Sequence, residues 1–167
     1  AAVAARALWR PHNPPEAVRV TRDKAAMRQV FADAALPQPL FRVIGADDDP
    51  VAACSEVGFP CVVKPVSLSA SRGVIRVDGI DEVADTVARI RTITAEAGRD
   101  PSEPILAESF VPGTEVALEG LLVDGHLEVL ALFDKPDPMN GPYFEETILV
   151  TPSRLAHHVQ DEIAAIS

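Results

Sequence analysis

This sequence predicts an α/β fold, α+β in the way its helices flank antiparallel strands, and three observations predict it. Phe59 to Val77 reads as strand–loop–strand, with two apolar runs flanking Ser67–Gly73. Glu115–Val123 and His126–Phe133 are long apolar-rich runs joined by Asp124-Gly125, a dipeptide suited to a two-residue hairpin turn. Elsewhere apolar residues recur at helical spacing, at Ala26, Met27, Val30, Phe31 and Ala34 and again at Val83, Val87, Ile90 and Ile93. Strand–loop–strand at the first loop points to a hairpin flap over a ligand; a dinucleotide fold would run strand–loop–helix there.

In chain order, residues 1–20 are expected as a peripheral N-terminal segment, a helix fragment followed by irregular His12-Asn13-Pro14-Pro15. A helix follows, capped by Thr21 or Asp23 and ended by Pro37 and Pro39. Leu40 to Ile44 reads as a short strand. Asp47-Asp48-Asp49-Pro50 opens the next helix, acidic at its positive end and with proline in its first turn, and that helix stops near Gly58. After the flap hairpin, whose second strand is Val74 to Val77, Asp81 starts a longer helix running to about Gly98. Pro104 to Val111 is an apolar strand or connector carrying one carboxylate, Glu108. His157 and His158 fall on a final helix as surface residues. No internal repeat interrupts this order.

Composition bounds the function. The length allows one domain or two small ones with a real core, and 47% hydrophobic residues with mixed charge suit a folded protein. A net charge of −10 argues against a nucleic-acid surface, which is normally basic. The same charge repels nucleotides at long range, so a nucleotide site here needs concentrated positive charge, and Lys24, Arg28, Lys64 and Arg72 are its suppliers. Cys54 and Cys61 lack zinc-like spacing and read as buried reduced thiols of a cytoplasmic protein. No apolar stretch is long enough to span a bilayer. The start at Ala1 and the stop at Ser167, inside an apparent helix, read as a piece of a longer protein, with trimming of the ends as the alternative.

Lys64 carries the first chemical signal. It sits near the end of Cys61-Val62-Val63-Lys64-Pro65, and the small residues of Ser67-Leu68-Ser69-Ala70-Ser71-Arg72-Gly73 follow. A cation beside a loop whose backbone N–H groups can approach oxygens closely suits a polyphosphate. No Gly-Lys-Ser/Thr follows the loop, so it is not a P-loop. An apolar strand ending in one solvent-reaching lysine is the plain alternative.

Four segments in order give the chain a family likeness: Thr21-Arg22-Asp23-Lys24, Ala35-Leu36-Pro37-Gln38-Pro39, Gly58-Phe59-Pro60-Cys61-Val62-Val63-Lys64-Pro65, and Ile105 through Glu115 (Ile-Leu-Ala-Glu-Ser-Phe-Val-Pro-Gly-Thr-Glu). Over roughly Thr21 to Pro152 the chain resembles the ATP-grasp superfamily of carboxylate–amine ligases. The resemblance implies a small antiparallel-sheet-plus-helices subdomain over 21–111, with phosphate flap and hinge, and the start of a large-subdomain sheet over 112–167. It implies that Lys24 and Lys64 contact ATP phosphates and that Ser69, Ser71 and Gly73 lie in the flap over them. Glu108 would accept from the adenine amino group, backbone groups of Ser109, Phe110 and Val111 would read the ring edge, and Glu115 would hold the ribose hydroxyls. Glu108 as a solvated strand-end charge and Glu115 as a cross-strand ion-pair partner remain the plain alternatives.

The flap, with Ser67, Leu68, Ser69 and Ala70, is similar to the "Gly-Ser-Ser-x-Gly" flap of D-alanine–D-alanine ligases, with Ser69 where the glycine would be. Phe133-Asp134-Lys135-Pro136 and Pro142-Tyr143-Phe144-Glu145-Glu146-Thr147 resemble bacterial amino-acid and dipeptide ligases, which nominates Glu146 for the amino substrate. The family holds Mg²⁺ through a late Glu…Glu-x-Asn pattern; none occurs before Ser167, so the Mg²⁺ ligands are expected beyond Ser167 and none in this chain, the fragment is expected to be catalytically incomplete, and the catalytic residues stay unassigned. The implied activity is ATP-dependent carbon–nitrogen ligation of a small carboxylate to an amine through an acyl phosphate. Biotin-carboxylase-like carboxylation and a nucleotide-binding module without ligase activity are the alternatives. Neither nucleic acid nor membrane is an expected partner.

Overall fold

Proline in a helix's first turn sacrifices no hydrogen bond, and Pro15 and Pro50 each open a helix in the computed structural model, which describes all 167 residues. Helix α1 spans Ala2–Ala7 and α2 spans Pro15–Val20, so the segment read as irregular from its prolines contains a helix that Pro15 itself initiates. Helix α3 covers Lys24–Asp33; its cap is Asp23, whose Oδ1 accepts from the N–H groups of Ala25 and Ala26 at 2.9 and 3.1 Å. Strand β1 is Phe41–Ile44. Helix α4, Pro50–Val57, is capped by Asp49, and Gly58 leaves it at φ 83°.

Strands β2 (Cys61–Pro65) and β3 (Ile75–Val77) form the flap hairpin, a single 3₁₀ turn at Ile80–Glu82 leads into α5 (Val83–Glu96), and β4 is Ile105–Ser109. The four strands make one antiparallel sheet in the order β1-β4-β2-β3. Alternation along β2 and β4 sorts their side chains by face. Cys61, Val63, Ile105 and Ala107 turn into a core shared with Cys54, Val57, Val83, Val87 and Ile90 of α4 and α5. Each fully buried aliphatic there contributes about 1.5–3 kcal/mol. Both cysteines are buried and unbridged. A hydrogen bond that Cys61 donates to Cys54, together with burial, pushes the Cys61 thiol well above the ordinary range, which keeps it protonated and inert.

This sheet belongs to one compact unit, Ala1–Val111 with Gly141–Tyr143; a second unit comprises Pro112–Asn140 and Phe144–Ser167. The second is built on a hairpin of β5 (Val116–Val123) and β6 (His126–Asp134). Asp124 and Gly125 both take positive φ, 50° and 81°, as the turn chemistry of that dipeptide requires. The pairing shifts at Glu119/Gly120, where any Cβ on Gly120 would come within 2.7 Å of the Glu128 carbonyl. Asp134 exchanges two backbone hydrogen bonds with Val150, and α6 (His157–Ile166) ends the unit.

Candidate functional site

The face of the first sheet opposite its core carries the chemistry. Val62 pairs with Glu108 and Lys64 with Leu106, so Lys64 and Glu108 are diagonal neighbours on one face. Lys64 Nζ lies 2.5 Å from Glu108 Oε2. From α3, Arg28 donates through Nε to Glu108 Oε1 at 2.6 Å and through a second guanidinium nitrogen to Oε2 at 3.2 Å. Glu108 is only 4% exposed. Burial pushes its carboxyl pKa up, but the Arg28 hydrogen bonds and the Lys64 charge outweigh that and hold it below the usual range. Lys24, one turn before Arg28, belongs to the same cluster. Burial and the like charge of Lys64 hold its ammonium below the ordinary lysine range, and its Nζ donates to the Leu68 carbonyl at the root of the flap.

Glu108, expected to face an adenine amino group, anchors two cations here. An ionised carboxylate offers about four lone-pair sites, and Arg28 and Lys64 occupy three. The Glu108–Arg28 pairing was not legible beforehand, because the partners stand eighty residues apart in the chain.

The flap has an unusual backbone. Ala70 and Ser71 both take positive φ, 56° and 52°, and Gly73 takes 73°. A Cβ on Gly73 would also sit 3.2 Å from the Pro65 ring, so two constraints select glycine there. The N–H groups of Ser69, Ala70 and Ser71 make no backbone hydrogen bond, which leaves donors for an oxyanion. Ser67 fastens the flap's start through a 2.5 Å hydrogen bond to Glu103. Arg72 stays exposed, with only a 3.4 Å hydrogen bond to the Ser69 carbonyl. At the end of β4, Ser109 N–H donates to the Leu40 carbonyl and Phe110 N–H to the Pro60 carbonyl, so Val111 is the one member of that trio whose N–H stays open.

In the second unit, Glu115 and Glu146 share one partner. Lys135 Nζ pairs with both, at 2.5 Å to Glu146 Oε1, and its side chain is 8% exposed. Burial lowers the Lys135 pKa, but the two carboxylates outweigh it and hold the ammonium above its ordinary range. Asp134 is a structural knot: Ser153 Oγ, Arg154 N–H and Arg154 Nε donate to it at 2.6, 3.1 and 3.0 Å, which holds its carboxyl below the usual range. Lys24, Lys64 and Lys135 are all the lysines the chain has, and each is bonded within one of these two polar clusters. Asp134 and Lys135 stood in a quoted motif without roles; their buried pairing depends on the fold.

A divalent metal does not fit these residues. Glu108, Glu115, Glu146 and Asp134 are each committed to cations or hydroxyls, and no group of three or more His, Cys, Asp or Glu side chains comes together. No helix is long and apolar enough to cross a membrane.

Comparison with known proteins finds relatives of this chain. The chain is 29% identical over 164 residues to alanine–anticapsin ligase of Bacillus subtilis (strain 168), covering 89% of this chain and 34% of that protein. It is 27% identical over 147 residues to a D-alanine–D-alanine ligase of Aromatoleum aromaticum, covering 86% of this chain and 45% of the relative. The crystal structure of an L-amino acid ligase from Bacillus licheniformis superposes with a TM-score of 0.75 at 28% identity, over 99% of this chain and 37% of that one. The chain thus spans less than half the length of each of these relatives. Residues 57–167 match the ATP-grasp domain family, and the chain belongs to it.

Proposed function

We propose that this chain is the ATP-binding portion of a ligase that activates a carboxylate as an acyl phosphate and joins it to the amine of an amino acid. The observation that carries the reading is Lys24, Arg28 and Lys64 gathered around a single buried carboxylate in a chain of net charge −10. Three cations gather on this face beside a flap with open N–H donors. Burial first, and then the like charge of Lys64, hold the Lys24 ammonium below its ordinary range, and a bound polyphosphate would favour its charged form. The names of the relatives, ligases that join alanine or other amino acids, support the substrate class.

In this reading a carboxylate oxygen attacks the γ-phosphorus of ATP and ADP leaves. The amine then attacks the acyl carbon, phosphate leaves with the C–O bonding pair, and the ammonium proton is lost. The chain's own contribution is to hold and neutralise the phosphates with Lys24 and Lys64, under the Ser69, Ser71 and Gly73 backbone. Glu108 holds Lys64 and Arg28 in place, with its remaining lone pair for the adenine amino group. The open Val111 N–H and neighbouring carbonyls of Ser109 and Phe110 read the ring edge. Glu115 takes the ribose hydroxyls and Glu146 the amino group of the acceptor, both with Lys135 as counter-ion.

Calorimetric titration of ATP and adenosine tests the reading. Lys64→Ala should weaken ATP but not adenosine, by the roughly ten- to hundredfold that a charge-assisted contact of about 1.5–3 kcal/mol represents. Equal losses for both ligands would remove Lys64 from the phosphates.

A further inference from the structure

Gly141, Pro142 and Tyr143 belong to the first unit, although the residues on both sides of them belong to the second. Tyr143 forms an isolated antiparallel bridge to Ile75, and the Arg76 N–H donates to the Pro142 carbonyl at 2.9 Å. The three residues thereby extend the sheet beyond β3, its edge strand. Gly141 runs at φ 85° flat against Arg76, where a Cβ would lie 2.8 Å from the arginine Cβ and 3.1 Å from its Cδ. The same arginine lays its guanidinium over the Phe110 ring, 4.4 Å from the centroid, and donates Nε to Asp78 at 2.7 Å. Arg76 therefore touches the strap with its backbone and stem, and the end of β4 with its head. Glu145 and Glu146 follow Tyr143 by two and three residues, a span of at most ~10 Å of chain.

We propose that Arg76 is a positioning residue that links the nucleotide side to the acceptor loop at residues 144–147, through the 141–143 strap. A bridge of this size on a three-residue edge strand is a low-stability element that opens locally. Its closure depends on the Arg76 stem, and the Arg76 head depends on how firmly Phe110 is held. Nucleotide that orders Ser109–Val111 therefore orders the strap, and the acceptor loop tethered to it no longer bears that ordering cost when the amine arrives. The inference rests on the assignment of Ser109–Val111 to adenine.

Hydrogen exchange of the protein with and without a non-hydrolysable ATP analogue tests it. Protection should rise at the flap, 67–73, and by about fivefold or more at 141–147, the lower end of ordinary site-to-site coupling. In Arg76→Met the flap should still be protected while the response at 141–147 disappears; Arg42→Ala, which removes an exposed ion pair with Glu56, should change neither. If Arg76→Met loses protection throughout β2 and β4 without ligand, Arg76→Gln, which keeps a donor for Asp78, carries the same comparison. Flap protection with no response at 141–147, or a response that survives both substitutions, overturns the Arg76 proposal alone. No protection at either place overturns the nucleotide reading beneath it.

Discussion

The first unit hides one face of a four-stranded sheet under α4 and α5, whereas the second leaves a two-stranded hairpin largely open. Among buried residues, only Leu132 and Asp134 lie in the second unit. Leu121, Leu122, Val123 and Leu130 remain exposed around its hairpin. What fixes its shape instead is polar: the Asp134 knot and the Lys135 bridge. Both units thus carry a lysine–carboxylate cluster, but on different supports. In the first, the carboxylate is buried and the cations surround it. In the second, the lysine side chain is the more covered partner, 8% exposed, and the carboxylates, 47% and 51% exposed, keep their water. A buried charge left alone is costly and a hydrated one is not, so equivalent deletions should differ between the units.

The largest separation is expected from removing the central group of each cluster. Glu108→Ala strands Arg28 and Lys64 without their anion and should destabilise the first unit by about 3–5 kcal/mol. Lys135→Met leaves only hydrated carboxylates and should cost about 1 kcal/mol or less. Urea unfolding followed by amide signals from each unit measures both, and equal costs would erase the distinction. Next in size is the apolar contrast. Ile90→Ala empties a fully buried position and should cost about 2–5 kcal/mol, while Leu122→Ala, at 73% exposure, should stay within about 0.5 kcal/mol of zero.

The smallest effect has opposite signs in the two units. Three lysines give three side-chain Cε signals, and their titration by NMR should place Lys24 below the free-lysine pKa and Lys135 above it. Lys24, depressed on folding, binds its proton more weakly folded than unfolded, so its contribution grows as pH rises from its folded pKa toward the unfolded one. The Lys135 contribution is fully present below the unfolded pKa and is lost as pH rises through its raised folded pKa. Alkaline titration should therefore ease the first unit and loosen the second. In acid both units lose stability together, as pH falls through the depressed pKa values of Glu108 and Asp134.

Local signals in the sequence were readable because they need no partner. Asp23 and Asp49 cap, Pro50 starts a helix, and Asp124-Gly125 turns a hairpin, each through chemistry contained within a few residues. The cation suppliers Lys24, Arg28 and Lys64 were legible from charge scarcity. Their geometry was not, because Glu108 meets them only through the β4–β2 register and the placement of α3. For the same reason the strap at Gly141–Tyr143 left no trace in pattern: a lone bridge has no periodicity, and its partner, Arg76, is remote in sequence. Helix α2 was hidden by a different cause, since Pro15 was read as the end of an irregular segment when it stands at a helix start.

The placement of every lysine in a polar cluster has a practical consequence at the bench. Amine-directed reagents, the usual route to fluorescent tags, cross-links and surface attachment, have no neutral side-chain target within these 167 residues, whose side-chain amines are Lys24, Lys64 and Lys135. Each label that lands would cancel a charge on which one of the clusters depends. Tagging is better directed elsewhere, for example through a cysteine introduced at exposed Asp47, and the protection of these three amines by bound ligands becomes a readout in itself.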